Sequence, residues 1–558
     1  MYFKRDHWIG KNKWIILGVV GCIAVIAGAY LWVTGLMDSL YAYRSPLHQN
    51  PPIAGKPVGK PLTRRVVFVL IDALREDTSL KVEVMPYLNE LRQQAAWATM
   101  HSQPPSYSDP GYSVLMIGAW PDINDGPVVN LEYEDTPTWT QDNLFTAAHR
   151  LGLKTAISGY YWFEKLIPQQ AVDASFYTPG EDAAADREVI EAALPWLISG
   201  DYQFILIHLD QVDFAGHYEG GPRDPRWDAA AFRSDNLLRE ITATLDFNQD
   251  TLIVLSDHGQ INRGGHGGNE PVTLTEPFLL VGAGGKPGHY QDVYQIDIAP
   301  TVAALLGMNI PASSQGQPLT ELLTLAPNEE IIISDALSTQ KYALLDAYQA
   351  AIGVHAERQP APDSTSGFLE TMEAARQKRL SAERLPRFTL AFVLVLILTY
   401  LLFLKRGKTL AWIFGGAFTY LAIFNLRYAV LDGRTYSLSS VISADDLIQY
   451  CAITAMIALI IGWLLGFFGK KLSTHGSRRA AEYTLALTFS ILYLHALIIL
   501  WSYSLNGVII TWALPDFSSM FLGFLSLLQS LMVASVGLVL TALTALIVHF
   551  VPHSKEKI

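Results

Sequence analysis

The stretch "TLIVLSDHGQINRGGHGGNEP" (Thr251–Pro271) sets a β-branched apolar run against an Asp-His pair, Asp257 and His258, and places His266 eight residues further on among glycines. Residues 251–255 show no polar alternation, the pattern of a strand covered on both faces. Such strands belong to parallel α/β sheets, whose carboxyl ends face the ligand crevice. Asp257 would then stand on a functional rim. Alone, the stretch reads either as a strand closed by a polar glycine loop or as half of a metal site. The remainder of the chain decides.

Five further runs share the design: "RVVFVLID" (65–72), "KTAISGY" (154–160), "FILIHLD" (204–210), "PFLLVG" (277–282) and "EIIISD" (330–335). Helix-like stretches separate them. The spacing predicts an α/β fold, a mostly parallel sheet flanked by helices with right-handed crossovers. Residues 62–345 suit one large domain of roughly 280 residues. A Pro/Gly stretch, "HQNPPIAGKPVGKP" (48–61), links it to what precedes. Asp72, Asp210 and Asp257 each follow an apolar run, so strand logic puts Asp72 and Asp257 on one rim. A single Asp there is usually a cap or turn residue.

The 558 residues are 50% hydrophobic and carry a formal net charge of −12. Residues 1–60 carry about +5, residues 388–558 about +5, and the middle about −22. So acidic a middle argues against a nucleic-acid partner. The two cysteines, Cys22 and Cys451, lie in apolar runs, so the acidic domain has neither a disulfide nor a thiolate ligand.

"WIILGVVGCIAVIAGAYLWVT" (14–34) is long enough to cross a bilayer. "VVGC" loosely resembles a lipobox ending at Cys22, but the apolar run continues well past it, which favours an uncleaved anchor. Further candidate spans are 388–404, 409–425, 444–468, 480–504 and 517–549. Lys4, Arg5, Lys11, Lys13, Lys405, Arg406, Lys408, Lys470, Lys471, Arg478, Arg479, Lys555 and Lys557 all fall on one side if the N-terminus is inside. The expected organisation is a cytoplasmic N-terminus (1–13), an anchor (14–35), a linker (36–61) and an extracytoplasmic catalytic domain (62–345). A linker with a basic surface helix (346–387), a five-helix transmembrane region (388–549) and a cytoplasmic tail (550–558) follow. The protein is thus expected to be multi-pass, its domain at the outer face of the plasma membrane or in the ER lumen. "RQKRLSAERLPR" (376–387) is basic yet outside, and reads as a helix on the membrane surface. The spans hold almost no ionisable residues, Asp445, Asp446 and Glu482 being at ends. The bundle therefore reads as an anchor or lipid-facing platform rather than a transporter.

Four pieces assemble into a candidate site. The first is Asp72. The second is "PPSYSDPGYSVLMIGAWP" (104–121), where Ser108 begins a short apolar helix; a hydroxyl there sits by free N–H groups and the positive dipole end, favouring an alkoxide and an anionic substrate. Its bland reading is an N-cap. The third is "DQVDFAGHYEG" (210–220), in which Asp213 and His217 are close enough in a turn or loop to share a cation. The fourth is Asp257, His258 and His266. Carboxylates and imidazoles without thiolates suit catalytic Zn²⁺ or Mn²⁺. Seven such groups would serve two four-coordinate metals, which can clamp the attacking and leaving oxygens of an in-line phosphoryl displacement. A metal would also activate the Ser108 hydroxyl as nucleophile.

The order Asp, Ser before x-Pro, Asp-x-x-Gly-His, Asp-His-Gly, Gly-His-Gly resembles that of the alkaline phosphatase superfamily. Within it the likeness is to the type I phosphodiesterase/nucleotide pyrophosphatase and GPI ethanolamine-phosphate transferase branch. "PSYSDP" (105–110) is similar to that branch's Pro-Thr-x-Thr-x-Pro nucleophile motif, with Ser for Thr. "DNLFTAAHRLGLKTAISGYYWFEKLIP" (142–168) looks like the transferase pattern of helix, strand and aromatic loop. "QIDIAPTVAALLGMNIPASSQGQPL" (295–319) is similar to the superfamily's closing segment. The resemblance covers about 65–320. It implies that Asp72, Ser108, Asp257 and His258 hold a first metal, with Ser108 as nucleophile, and that Asp213, His217 and His266 hold a second. Both would be divalent, Zn²⁺ or else Mn²⁺. It sets Asn130 roughly where the phosphodiesterases bind phosphate, one residue out of register. Sulfatase is not implied, because no Arg follows Ser108-Asp109-Pro110 at the required place.

The expectation is a membrane-anchored two-metal phosphotransferase. It would move a phosphoethanolamine-like head group from a membrane lipid to a hydroxyl acceptor through Ser108. The alternative is a metal-dependent phosphodiesterase or phosphatase with water as acceptor, and a silent membrane scaffold is a third reading. Of the other polar residues, His208 reads as a core or supporting residue and Asp297 as a helix cap. Asp210 is a candidate to orient His217.

Overall fold

Every expected apolar run but one forms a strand in the computed structural model, which describes residues 3–354, 365–403, 408–469 and 476–550. The strands are β1 (Arg65–Ile71), β2 (Ala95–His101), β3 (Thr155–Tyr160), β4 (Ala174–Thr178), β5 (Phe204–Leu209), β6 (Asp250–Leu255), β7 (Thr275–Gly282), β8 (Gly288–His289) and β9 (Val293–Tyr294). They form one mixed sheet in the order β4-β3-β5-β1-β6-β7-β2-β8, with β9 beside β2. The wing from β4 to β6 is parallel throughout. β7 runs antiparallel to both β6 and β2.

Residue chemistry explains the layering. Val66, Phe68 and Leu70 face one apolar layer, built with the helices Ser108–Ile117, Leu144–Arg150 and Ile298–Leu306. Val67, Val69 and Ile71 face the other, with the helices Ala183–Ser199 and Pro225–Thr242. All six side chains are fully buried, each stabilising by about 1.5–3 kcal/mol relative to exposure. β1 lies between β5 and β6 in parallel register, Ile71 opposite Leu209 and Leu70 opposite Leu255. Asp72, Asp210 and Asp257 therefore leave the sheet at one edge.

The exception is "EIIISD" (330–335), which lies inside the helix Pro327–Ala351. Pro327 opens that helix, and Glu329 and Glu330 in its first turn complement the positive dipole end. Ile333, Lys341, Leu344 and Tyr348 are buried at helical spacing, while Ile331 and Ile332 are exposed. β2 and β4 have no counterpart among the expected strands, because "AAWATMH" and "ASFYT" lack a β-branched run.

The chain divides into two compact units: Leu40–Ser381 with Thr511–Leu514, and Met1–Ser39 with Ala382–Ile510 and Pro515–Ile558. Among the described residues, six helices are long and apolar enough to cross a membrane: Lys13–Tyr41, Gly367–Phe403, Leu410–Leu431, Ala444–Gly469, Ser477–Asn506 and Phe517–Phe550. In the second unit Gly416 and Gly462 let two of them touch, since a Cβ at Gly462 would stand 2.6 Å from the Gly416 carbonyl. His495 is a buried titratable residue inside a span, edge-on to Tyr420 at 5.7 Å, that the expectation of near-empty spans missed. Lys405, Arg406, Lys470, Lys471, Lys555 and Lys557 lie outside the described residues.

The basic segment 376–387 is not a separate helix. It is the middle of the single helix Thr365–Phe403. Its arginines are engaged by protein: Arg379 donates to the Ile352 carbonyl at 2.9 Å, Arg384 to the Leu505 carbonyl at 3.1 Å, and Arg387 pairs with Glu383 at 2.9 Å.

Candidate active site

Asp72 follows β1 and is divided between two tasks. Its Oδ2 accepts from the Tyr112 hydroxyl and from His208 Nε2, the latter at 2.9 Å. The Tyr160 N–H donates to His208 Nδ1 at 3.4 Å, which puts the ring proton on Nε2. Oδ1 is left buried without a hydrogen-bond partner among the described residues, 3.4 Å from His258 Nε2. Asp257 repeats the pattern: Oδ1 accepts the Ala73 N–H at 3.3 Å, while Oδ2 has no partner among the described residues and lies 3.4 Å from the same nitrogen. Ser108 Oγ completes the group at 3.1 Å from His258 Nε2. His258 Nδ1 lies 3.1 Å from the Gly259 carbonyl, a contact that needs a proton on Nδ1 and turns the Nε2 lone pair toward these oxygens.

Ser108 is the first residue of its helix, Tyr107 holding the cap position, and Ser108 is not a cap. Helix and loop meet closely because residue 111 is glycine: a Cβ there would stand 2.8 Å from that of Asp257. Asn130 Oδ1 accepts the Asp109 N–H at 3.1 Å, which brings its side chain to the same helix start.

Asp213 and His217 sit on the helix Gln211–Tyr218 rather than in a turn or loop, and the i, i+4 spacing puts them on one face. His217 Nε2 is 3.4 Å from Asp213 Oδ2, and His266 Nε2 is 3.6 Å from Asp213 Oδ1. The two Nε2 atoms are 2.8 Å apart. Gln260 donates to Asp213 Oδ1, and His266 Nδ1 meets the Ser106 carbonyl at 3.0 Å. Gly267 has φ +99°, and a Cβ there would stand 2.2 Å from the Tyr107 ring, so glycine lets the loop fold His266 inward. The His258 and His266 rings stack at 4.0 Å, and ligand atoms of Asp72, Asp213 and His258 lie within 4.8 Å of one another. The two groups are contiguous.

Electrostatics follow from burial. Asp257 is held well above the usual carboxylate range by desolvation and then by Asp72. Desolvation pushes His266 well below the usual imidazole range, and His258 adds to it. Desolvation raises Asp213 too, but His217, His266 and His258 outweigh it and its carboxyl stays low. Crowded buried carboxylates, two orphaned oxygens and converging imidazole nitrogens are costly unless a cation satisfies them. Asp72, Asp213 and His258, and Asp213, His217 and His266, form groups able to hold a metal ion. The donor set fits a divalent one.

All seven expected ligands are thus brought together, with Asn130 beside them. Tyr112 is a new member, and no sequence pattern marks it. The Asp210 side chain lies near Asp72 and His208 rather than serving His217. Asp297 precedes the helix Ile298–Leu306 but makes no side-chain cap bond; it accepts the N–H groups of Gln317 at 2.9 Å and Tyr294 at 3.2 Å.

Residues 66–269 match the type I phosphodiesterase/nucleotide pyrophosphatase family. The human GPI ethanolamine phosphate transferase 2 catalytic subunit is 29% identical over 290 residues, 48% of this chain and 29% of the relative. GPI ethanolamine phosphate transferase 2 of Aspergillus fumigatus is 24% identical over 464 residues, 76% of this chain and 59% of the relative. The chain spans 29% of that human relative's length and 34% of that of the human GPI ethanolamine phosphate transferase 3 catalytic subunit. Murine ectonucleotide pyrophosphatase/phosphodiesterase 5 superposes with a TM-score of 0.40 at 14% identity, covering 47% of this chain and 100% of that one. The segment 66–269 is thus similar to the type I phosphodiesterase/nucleotide pyrophosphatase family, on a chain similar to the GPI ethanolamine phosphate transferases.

Proposed function

We propose that the protein is a membrane-bound phosphotransferase that moves a phosphoethanolamine head group from a phospholipid to a hydroxyl acceptor, with Ser108 as the transient carrier. The observation that carries this reading is the Ser108 hydroxyl, 3.1 Å from His258 Nε2 at a helix start and beside two carboxylate oxygens without partners. Asp72, Ser108, Asp257 and His258 would hold one divalent cation and Asp213, His217 and His266 a second, both zinc by the chemistry of the donors. Such cations supply charge neutralisation at the phosphoryl group and lower the pKa of a neighbouring hydroxyl.

The chain's own residues do the rest. Ser108 Oγ forms a bond to phosphorus, the bond from phosphorus to the glycerol oxygen breaks, and that oxygen leaves as a diacylglycerol hydroxyl after taking a proton. The acceptor oxygen then attacks the same phosphorus and Ser108 Oγ leaves, so two in-line displacements restore the enzyme. Asn130 gives its Oδ1 to the Asp109 N–H, leaving its NH₂ to donate to a phosphoryl oxygen. The helix Ser108–Ile117 directs its positive end to the same place. Six apolar helices suit a substrate that never leaves the bilayer. In this reading the domain is extracytoplasmic and both termini are cytoplasmic.

The test supplies phosphatidylethanolamine labelled in the head group to the full chain in zinc-loaded vesicles, with and without a glycan acceptor. Transfer of label to the acceptor is expected, with loss of at least about 10³-fold in Ser108→Ala. Free phosphoethanolamine as sole product would make the protein a phosphodiesterase. Full activity in Ser108→Ala would overturn the mechanism.

A further inference from the structure

Two carboxylates beside this site have no cation of their own. Asp210, one residue past β5, is 7% exposed. Its backbone N–H donates to Asp186 at 2.7 Å, but its carboxylate accepts no hydrogen bond and makes no ion pair among the described residues. A carboxylate oxygen of Asp210 lies within 4.8 Å of Asp72 and His208 ligand atoms. Glu181, half-buried on the loop after β4, accepts the Tyr160 hydroxyl at 2.8 Å and pairs with no basic side chain among the described residues. Tyr160 joins them. It is the last residue of β3, its hydroxyl meets Glu181, and its N–H meets His208, the neighbour of Asp210.

A metal is a poor occupant here. His208 accepts an N–H at Nδ1 and donates at Nε2 to Asp72, so its ring has no lone pair left to coordinate. Desolvation holds Glu181 above the usual carboxylate range, and Glu181 raises the Tyr160 hydroxyl after burial itself. Buried acceptors of one sign want a cation that brings its own donors.

We propose that Asp210, Glu181 and Tyr160 form a subsite for a primary ammonium group on the transferred head group. The subsite rests on the phosphotransfer reading above and deepens it. An –NH₃⁺ group offers three donors, and the subsite offers two carboxylates and a hydroxyl oxygen. A trimethylammonium has no N–H and would leave Asp210 unpaired and Glu181 with the Tyr160 hydroxyl alone. The subsite therefore selects aminoethyl over choline head groups as well as over uncharged ones.

The experiment uses the full-length, zinc-loaded protein and two aryl diesters, p-nitrophenyl 2-aminoethyl phosphate and p-nitrophenyl propyl phosphate, which differ in the terminal amine. The quantity read is the ratio of their kcat/KM values within one preparation, which cancels any inactive fraction. Wild type is expected to favour the aminoethyl ester by about tenfold or more, and Glu181→Gln and Asp210→Asn each to reduce that ratio at least about fivefold. A merely structural role would depress both rates and leave the ratio alone. A wild-type ratio near one, or a ratio unchanged in both variants, would overturn the subsite while phosphoryl transfer stands. Turnover of neither ester by wild type would overturn the transfer reading and the subsite with it.

Discussion

At the scale of single residues, the two oxygens of Asp72 carry different loads. Oδ2 is fixed by Tyr112 and His208, and only Oδ1 is left for the site. Supporting bonds of this kind set a ligand's direction, and their loss typically weakens metal binding 10- to 100-fold. Tyr112→Phe keeps the ring stacked on Phe163 but removes the hydroxyl. It is expected to raise, by about 10-fold or more, the free zinc concentration needed to restore activity after chelation. An unchanged zinc titration would show that Tyr112 has no such part. Of the seven proposed ligands, Asp72, Asp257 and His258 were legible at the ends of apolar runs and His266 among glycines, whereas Ser108, Asp213 and His217 were read from the spacing of their short motifs. Tyr112 was not, since nothing separates a helical tyrosine that touches a carboxylate from one that fills a core. His208 was recognised as a supporting residue without its target, because β-sheet register is not written in one strand.

At the scale of elements, the glycines around His266 hold the loop against two neighbours. Gly264 has φ +86°, and a Cβ there would stand 2.1 Å from the Gly216 carbonyl. Gly267→Ala would combine a left-handed backbone with the clash against Tyr107. It is expected to destabilise the domain by about 2 kcal/mol or more and to lower activity at saturating zinc, checked by thermal unfolding and turnover. Wild-type behaviour in both would mean the loop is free to move. The apolar period located the five central strands but misassigned "EIIISD". Three isoleucines in a row fit a strand or a helix equally, and the deciding signals were Pro327 and the two glutamates of the first turn. The i, i+4 pair Asp213 and His217 carried a helical signal that the glycine at 216 obscured.

At the scale of the whole molecule, Lys341 couples stability to pH. Burial lowers its ammonium to about 7, and the ammonium donates to the Gln315 carbonyl at 3.0 Å. Between about 7 and the ordinary 10.5 the unfolded chain binds more protons than the folded one at this residue, so its contribution to stability rises with pH across that window. The melting temperature of wild type relative to Lys341→Met should therefore climb from pH 7 to pH 9; a constant difference would contradict the burial of a charge there. The six apolar helices were legible because a bilayer demands long runs without charge. The continuity of Thr365–Phe403 was not, since a basic stretch with a proline, Pro386, reads as a boundary. In the proposed mechanism Ser108 carries the phosphoryl group between donor and acceptor. The most direct measurement is peptide mass spectrometry of the full-length, zinc-loaded protein, quenched in acid during turnover of head-group-labelled phosphatidylethanolamine. Label is expected as an aminoethyl phosphate ester on the peptide bearing Ser108, absent in Ser108→Ala. Continued turnover with no label on Ser108, or with label on another residue, would contradict it.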